Sequence, residues 1–486
     1  MSSFFRKHHI DLGTTIPLLG FPRVSLSPKQ QHYHATIWGK SGQGKSKQLQ
    51  SMFLQHYAKG HGVGLVEPHH DLSFDILTSL VAQGHFRRKG TGFERLVYID
   101  WGNGAYVPFN ILADDGRTDA HSRSLNALEG MLRVWPSLSE APMFQELFLA
   151  SILTLIANNL PITSIYRLLS DTEFRRGCLV KISDQLVLNV FASFDKLGRD
   201  QVHEAGSTLR RAFLLGFSPV ARYTLGQTQN WLPFRKWMDE GTSFIINLGN
   251  VNDQQTKKLL GAMLMVQIEQ AALSRTDIPP SQRRHFTLMV DEWPSFAAQD
   301  DTIGTILSQA RKFNLTLYLA AQSLSQVSSS RLTGALENCR LTMVFGLGRD
   351  SAEIQAKQIG YADAMRIKEE QFTPTQHNQY LSILEQFEGW TQELQNLSPR
   401  TCYVKLPDKQ AVRVRTPHVP ERKVNKHELA AVLARYREMY QRGKAETEVG
   451  ASEGGPVNLA GAASVESVEN QRFAADSQEA DDPLPS

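Results

Sequence analysis

The feature that most constrains this chain is a glycine-rich segment near its start, residues 37–46. It contains the pattern G-x-x-x-x-G-K-S, whose fixed positions are Gly39, Gly44, Lys45 and Ser46. A strand-like run precedes the pattern at residues 34–38, and a stretch free of glycine and proline follows it at 47–54. Strand, glycine loop and helix in this order are the context that a phosphate-binding loop requires, which disfavours a chance glycine-rich turn.

Each part of this loop has a defined chemistry. Glycines let the backbone curl so that successive N–H groups face phosphate oxygens, and the following helix adds its positive N-terminal end. Lys45 can reach the β- and γ-phosphates of a nucleotide, and Ser46 can offer its hydroxyl to Mg²⁺. The residues predicted to bind the nucleotide are Gly39, Lys40, Ser41, Gly42, Gln43, Gly44, Lys45 and Ser46.

A second segment, residues 286–292, is an apolar strand that ends in two carboxylates. Beside a phosphate loop, Asp291 is predicted to hold Mg²⁺, through water or jointly with Ser46. Glu292 is one residue further on and is predicted to be the general base that polarises the attacking water. The alternative is a strand that ends in a solvated acidic turn, which the phosphate loop disfavours.

Two further side chains are candidates for the chemistry. Gln322 follows a predicted strand, and a neutral amide there can sense the γ-phosphate or orient water, although glutamine also caps strands. Arg311 ends the preceding helix, and from a neighbouring subunit it would stabilise the charge that develops during phosphoryl transfer. The alternative for Arg311 is a cation that complements a helix dipole. Arg349 is a second candidate for this cation.

The pattern of apolar runs predicts the fold class. Runs that are apolar throughout and separated by helices indicate a parallel sheet covered on both faces, so we predict an α/β fold. The predicted strands span residues 34–38, 62–66, 95–100, 242–248, 285–292, 315–321 and 341–346, with a hairpin at 401–406 and 411–415. Strands that end in acidic residues place carboxylates at the edge where open α/β sheets bind ligands.

Changes in pattern along the chain predict its domains. Apolar residues recur at helical spacing in the middle of the chain, where alternation typical of strands is absent. The last helix is predicted to begin at Asn425, with Glu428 completing a capping box. The predicted units are an N-terminal arm or edge strand (1–33), the first part of the α/β ATPase domain (34–116), an all-helical insertion (117–237), the second part of the ATPase domain (238–420), a C-terminal helix (421–443) and a disordered acidic tail (444–486).

Charge and composition suggest a partner and a compartment. Residues 444–486 carry nine acidic and two basic side chains, so the rest of the chain has a formal charge of +10 although the total is +3. A basic body fits a polyanion such as DNA. The helical insertion carries basic side chains that face DNA or a partner, or form a solvated helical face; they are Arg175, Arg176, Arg210, Arg211 and Arg222.

Three scattered cysteines fit a reducing cytoplasm, and no uncharged apolar run reaches the roughly 18 residues that span a bilayer. We therefore expect a cytoplasmic protein without a transmembrane segment, peripheral to a membrane only through a partner.

The ordered set of motifs resembles the FtsK–HerA superfamily of DNA-pumping P-loop ATPases, and within it the cytoplasmic ATPase part of type IV secretion coupling proteins. The matching segments are 39–46, 67–72, 291–296, 308–313, 320–324 and 349–352. The resemblance implies a RecA-like core with a helical domain on one face, and ATP and Mg²⁺ as cofactors. It also implies a ring of six subunits that moves DNA through its centre.

Three functions are compatible with this resemblance. The first is a DNA translocase in transfer machinery, with secretion or relaxase partners. The second is a motor that works with a separate nuclease in phage defence or DNA processing, or that packages viral DNA. The third is a scaffold whose nucleotide state controls assembly without moving DNA. Single-stranded DNA, double-stranded DNA and protein all stay open as the substrate.

Overall fold

Apolar segments of the chain pair into one large sheet. The structure, a computed structural model, describes residues 8–15, 22–102, 104–196, 218–297, 302–326, 334–369, 379–407 and 409–443. Its strands are β1 (Ile10–Thr15), β2 (Arg23–Leu26), β3 (Ala35–Trp38), β4 (Gly62–Glu67), β5 (Leu96–Asp100), β6 (Ala105–Tyr106), β7 (Ser243–Asn247), β8 (Phe286–Val290), β9 (Leu315–Ala321), β10 (Leu341–Val344), β11 (Ile367–Glu369), β12 (Gln379–Tyr380), β13 (Thr401–Lys405), β14 (Val412–Arg415) and β15 (Arg442–Gly443).

The sheet has eleven strands in the order β2-β1-β14-β13-β10-β3-β9-β8-β4-β7-β5. The run from β10 to β5 is parallel, whereas β13, β14, β1 and β2 extend it in antiparallel fashion on one side. The predicted α/β class with a mainly parallel sheet is confirmed. We call the edge formed by the C-terminal ends of the parallel strands the carboxyl edge, and the opposite edge the amino edge.

Helices cover both faces of this sheet. They are α1 (Lys45–Ala58), α2 (Asp71–Ala82), α3 (Ala120–Val134), α4 (Pro142–Ala157), α5 (Ile165–Ser170), α6 (Thr172–Leu179), α7 (Gln185–Phe194), α8 (Pro219–Leu225), α9 (Phe234–Glu240), α10 (Gln254–Leu273), α11 (Pro294–Ala297), α12 (Thr302–Gln309), α13 (Arg349–Ile359), α14 (Ile383–Gln395) and α15 (Lys426–Tyr440).

The two faces bury two separate cores, because successive strand residues point to opposite sides. Leu288 and Val290 of β8 join one core, which also contains α10 and the helices from α3 to α9. Met289 between them joins the other core, which contains α1, α2 and α15. Between β6 and β7 the described residues form helices, turns and one isolated bridge from Phe109 to Asn230. The predicted helical insertion lies in this interval, but its limits at 117 and 237 stay a prediction.

The predicted N-terminal arm is part of the sheet. Residues 10–15 and 23–26 of the predicted arm form β1 and β2, which join the sheet through β14. The predicted tail at 444–486, and Arg210 and Arg211 of the insertion, lie outside the described residues. In the part of the chain that the structure describes, no helix combines the length and apolar character needed to cross a membrane.

Candidate nucleotide-binding site

The glycine-rich loop connects the carboxyl end of β3 to the start of α1. Gly42 and Gly44 have φ angles of 78° and 104°, in the left-handed region that favours glycine. Gly39 is needed for a different reason, because a Cβ there would lie 2.6 Å from Cβ of Phe345. Gly44 is the N-cap of α1 and offers no side chain to the first N–H groups of the helix. Those donors and the helix dipole make the loop suited to an anion.

Lys45 is held inside this loop. Its side chain is buried, and Nζ donates to the carbonyl oxygens of Gly39 at 2.5 Å and Lys40 at 3.3 Å. Burial lowers the pKa of Lys45, while the nearby carboxylates of Glu292 and Asp291 act in the opposite direction. The ammonium therefore lies between the loop and the acidic pair, as the sequence predicts for a phosphate-binding lysine.

Ser46 and Asp291 meet although they are far apart in the sequence. The Ser46 hydroxyl lies 3.4 Å from Oδ2 of Asp291. The backbone N–H of Asp291 donates to the carbonyl of Val66 in β4 at 3.1 Å, which fixes the acidic turn to the sheet. A hydroxyl and a carboxylate oxygen are the hard donors that Mg²⁺ prefers, so this donor set fits the predicted ion. Burial and the charge of Glu292 raise the pKa of Asp291, whereas Lys45 and His69 oppose that rise.

Glu292 follows in a strained turn. Its φ is 46°, which is unfavourable for a residue with a side chain, and its backbone N–H donates to Oδ1 of Asp291 at 3.1 Å. Both carboxylates are 4% exposed. Backbone strain of this kind clusters at functional sites. The structure therefore brings Lys45, Ser46, Asp291 and Glu292 together, and the catalytic role of Glu292 stays a prediction.

Gln322 lies between the two motifs. It follows β9, which pairs with β3 on one side and β8 on the other. The backbone N–H of Gly39 donates to Ala321 at 3.3 Å, and that of Trp293 donates to Ala320 at 3.2 Å. These bonds join the phosphate loop and the acidic turn to the end of β9. Gln322 is exposed at that point, where a phosphate-sensing amide is expected.

Arg311 lies at the amino edge of the sheet, away from the loop of its own chain. It precedes β9, and its guanidinium is 5.8 Å from the ring centre of Tyr33, which precedes β3. The seven residues of β9 span about 23 Å between this edge and the site. Arg311 is exposed, and its role in the site of a neighbouring subunit stays a prediction.

Arg349 has other partners. Its Nη1 and Nη2 donate to the two carboxylate oxygens of Glu388 at 2.6 Å each, and Nε donates to Glu353 at the same distance. These ion pairs make Arg349 the weaker of the two candidates for a catalytic cation.

Two residues near the site acquire structural roles that the sequence motifs did not predict. Arg400 donates its backbone N–H to the carbonyl of Gln43 in the loop at 2.8 Å. Glu67 caps the start of α2, where its carboxylate accepts from the N–H groups of Leu72 at 2.9 Å and Ser73 at 2.6 Å. Burial raises the pKa of Glu67 to about 7, although these hydrogen bonds oppose the rise. For Arg400 the sequence contains no local signal, because its contact joins distant segments.

Solved structures share this fold, although no protein-family model and no curated protein matches the chain. The unbound bacterial conjugative coupling protein TrwBdeltaN70 aligns with a TM-score of 0.57 at 16% identity, covering 83% of this chain and 90% of the solved chain. TrwB in complex with ADP and Mg²⁺ aligns with a TM-score of 0.56 at 16% identity, covering 82% and 89%. VirB4 of Thermoanaerobacter pseudethanolicus aligns at 0.50 with 12% identity, covering 85% and 96%. The chain therefore has the RecA-like P-loop fold that the resemblance predicted.

Proposed function

We propose that this protein is an ATP-hydrolysing DNA translocase of the coupling-protein type, which works as a ring of six subunits. One observation carries the proposal: the Ser46 hydroxyl and the Asp291 carboxylate lie 3.4 Å apart, beside the buried Lys45 and Glu292. TrwB, whose fold the chain shares, has been solved with ADP and Mg²⁺ and with a non-hydrolysable ATP analogue. Both findings support ATP as the nucleotide and Mg²⁺ as the ion.

The proposed roles of the side chains follow from their chemistry. The loop N–H groups and Lys45 hold the β- and γ-phosphates, and Ser46 and Asp291 hold Mg²⁺. The ion supplies positive charge that neutralises the phosphate oxygens. Glu292 accepts the proton of the water that attacks the γ-phosphorus, while Gln322 orients that water. The bond between this phosphorus and the β-phosphate oxygen breaks, which yields ADP and phosphate.

The DNA substrate and the ring are supported less directly. The chain outside residues 444–486 carries a formal charge of +10, which favours association with a polyanion. Arg311 is exposed at the amino edge, so it can complete a site only in another subunit. DNA movement, six subunits and secretion, relaxase or nuclease partners rest on the resemblance to coupling proteins.

The experiment compares ATP turnover with and without DNA in wild type, Glu292→Gln and Lys45→Ala. We expect DNA to raise wild-type turnover. Glu292→Gln should retain ATP binding and lower turnover by about 100-fold or more, because it removes the general base. Lys45→Ala should lose ATP binding as well as turnover. Binding is measured by calorimetry and turnover by phosphate release.

Lys47→Ala is the matched control for the lysine substitution. Lys47 belongs to the same helix, but its ammonium pairs with Asp75 in a partly exposed ion pair, so its loss should leave turnover unchanged. Turnover that DNA does not alter would reject the translocase and favour the nucleotide-controlled scaffold. Undiminished turnover in Glu292→Gln would reject the assigned base.

A further inference from the structure

Arg400 occupies an unfavourable backbone conformation directly beside the phosphate loop. Its φ is 64°, in the left-handed region, where glycine is favoured over a residue with a side chain. Its backbone is fixed from both sides, since its N–H donates to the Gln43 carbonyl at 2.8 Å and its carbonyl accepts from Thr416 N–H at 2.9 Å. An arginine thus stands where the backbone alone would favour glycine, and such strain points to a function for the side chain.

The first part of the Arg400 side chain lies against the loop. Its Cγ and Cα are each 3.5 Å from the position that a Cβ on Gly44 would occupy. At its far end, Nη2 donates to the carbonyl of Thr416 at 3.2 Å. A guanidinium has five N–H donors, so this one hydrogen bond leaves capacity for a ligand. Arg400 is half-buried, so part of the residue is accessible to solvent.

The strand order fixes which end of a nucleotide would face Arg400. The acidic pair follows β8, which lies beyond β9 on one side of β3. Ser46 and Asp291 would hold the ion beside the terminal phosphates, so the γ-phosphate belongs on the side of Asp291. The α-phosphate and the nucleoside must then leave the loop towards β10 and β13. Arg400 immediately precedes β13 and is on that side.

We propose that Arg400 is a further nucleotide-binding residue, which contacts the α-phosphate end of the nucleotide in its own subunit. Its planar, permanently charged guanidinium matches the oxygens of a phosphate and can donate two parallel hydrogen bonds to it. The inference rests on the proposed function, because it assumes that the loop binds ATP or ADP. It adds a nucleotide-contacting side chain from a segment that carries no recognised nucleotide-binding motif.

The test uses Arg400→Gly in the full chain. Glycine adopts the observed φ without strain and keeps both backbone hydrogen bonds, so the change is confined to the side chain and its hydrogen bond to Thr416. We expect affinity for ADP with Mg²⁺ to fall about 10- to 100-fold, the effect of losing a charged hydrogen bond. Affinity for inorganic phosphate, which has neither an α-phosphate nor a nucleoside, should change less than about twofold. Both affinities are measured by isothermal titration calorimetry.

Two further variants test whether the effect belongs to the guanidinium of Arg400. Arg400→Lys keeps the charge but not the planar fork, so its ADP affinity should lie between those of wild type and Arg400→Gly. Arg415→Ala removes an exposed arginine from the adjoining strand β14 and should bind ADP like wild type. Thermal unfolding of each variant reports whether the fold is kept.

The outcomes separate this inference from the proposed function. If wild type binds no ADP, the proposed function fails. If wild type binds ADP and Arg400→Gly binds it equally well, only the role of Arg400 is rejected. An equal loss of ADP and phosphate affinity would also reject it, because it would indicate that Arg400 merely supports the loop.

Discussion

At the scale of single residues, the amino edge of the sheet buries histidines that folding holds uncharged. His34 accepts a hydrogen bond at Nδ1 from the N–H of Leu317 at 2.9 Å, and burial lowers its pKa to about 4. Nδ1 of His56 lies 3.3 Å from Nδ1 of His61, and burial lowers the pKa of His56 to about 3. Both side chains are therefore neutral in the folded protein at every pH where an exposed histidine begins to ionise.

The pH dependence of stability should reflect this burial. In the unfolded chain a histidine ionises near pH 6.5, so the stability that neutral His34 provides is complete above that pH and declines as the pH falls towards 4. Between pH 7.5 and 5.5 we expect a loss on the order of 1 kcal/mol from this side chain. The variant His34→Asn keeps an amide oxygen that can accept from Leu317 but has no titrating ring. Its free energy of unfolding should therefore fall about 1 kcal/mol less than that of wild type between these two pH values.

The comparison is made by denaturant unfolding of wild type and His34→Asn at both pH values. Buried carboxyls such as Glu67, whose pKa is raised to about 7, change stability in the opposite direction, but they are common to both proteins and cancel in the difference. His121→Asn alters an exposed histidine and serves as the control. Identical pH dependence in wild type and His34→Asn would contradict a buried neutral histidine.

The site illustrates how far sequence reasoning reaches at this scale. That Lys45, Ser46, Asp291 and Glu292 meet could be predicted because each belongs to a short motif whose chemistry depends on local spacing; their roles stay a prediction. Arg400 was missed because its contact with Gln43 joins distant segments and depends on a φ angle that no neighbouring residue dictates. Long-range contacts that involve backbone atoms leave no pattern in a single sequence.

At the scale of elements, the parallel strands were predictable because they are apolar on both faces. Residues 315–321 form β9 as predicted, and the predicted strand at 242–248 is one residue shorter at each end. Strands β1 and β2 carry no such signal, since β1 is placed by pairing with β14 and β2 by pairing with β1. Of the capping box predicted at α15, only the Asn425 cap is present. Asn425 accepts from the N–H of His427, but the Glu428 carboxylate binds Arg87.

The close packing of the sheet gives a prediction about one glycine. In β4, a Cβ on Gly64 would lie 2.4 Å from Cζ of Phe244, whose ring is fully buried beside that of Phe286. Gly64→Ala should therefore destabilise the protein by about 1–3 kcal/mol, the usual effect of overpacking a core. Chemical denaturation of the variant measures this loss.

A second glycine provides the control for this substitution. Gly177 is exposed in α6, and a Cβ there meets no atom within 4 Å. Gly177→Ala should leave stability unchanged or raise it by up to about 1 kcal/mol, because alanine favours a helix. If both substitutions had the same effect, steric contact with Phe244 would not be the cause at Gly64.

At the scale of the whole molecule, the sheet separates two parts of the proposed chemistry. The phosphate loop and the acidic pair lie at the carboxyl edge, whereas Arg311 is exposed at the amino edge. One chain cannot bring them together, since β9 extends between the two edges. The sequence predicted Arg311 as a residue that acts on a neighbouring subunit, and this arrangement is consistent with that role without testing it.

Mixing two inactive variants would test the role of Arg311. Arg311→Ala should bind ATP but lose about 10³-fold or more in turnover, because the developing charge loses its cation. Glu292→Gln should also bind ATP and be inactive. When the two are mixed and allowed to exchange subunits, some interfaces will combine an intact Glu292 with an intact Arg311, so turnover should reappear in a phosphate-release assay.

The matched control mixes Lys45→Ala with Glu292→Gln. Both substitutions damage the site of their own subunit, so no interface in that mixture regains a complete site. Recovery in the first mixture alone supports Arg311 acting between subunits. Loss of ATP binding in Arg311→Ala, or no recovery on mixing, would contradict it.

The hydrogen bonds between Lys45 and the carbonyl oxygens of its own loop have a consequence for anion selectivity. The ammonium has three donors and the loop accepts two of them, so a ligand that accepts more than one hydrogen bond from Lys45 exchanges with a loop oxygen. The free energy gained in that exchange is the difference between the bonds to phosphate and the bonds to the loop oxygens. It is smaller than the attraction of an ammonium without partners for a phosphate. Chloride offers one charge and no array of acceptors, so abundant cellular salt competes poorly with a polyphosphate.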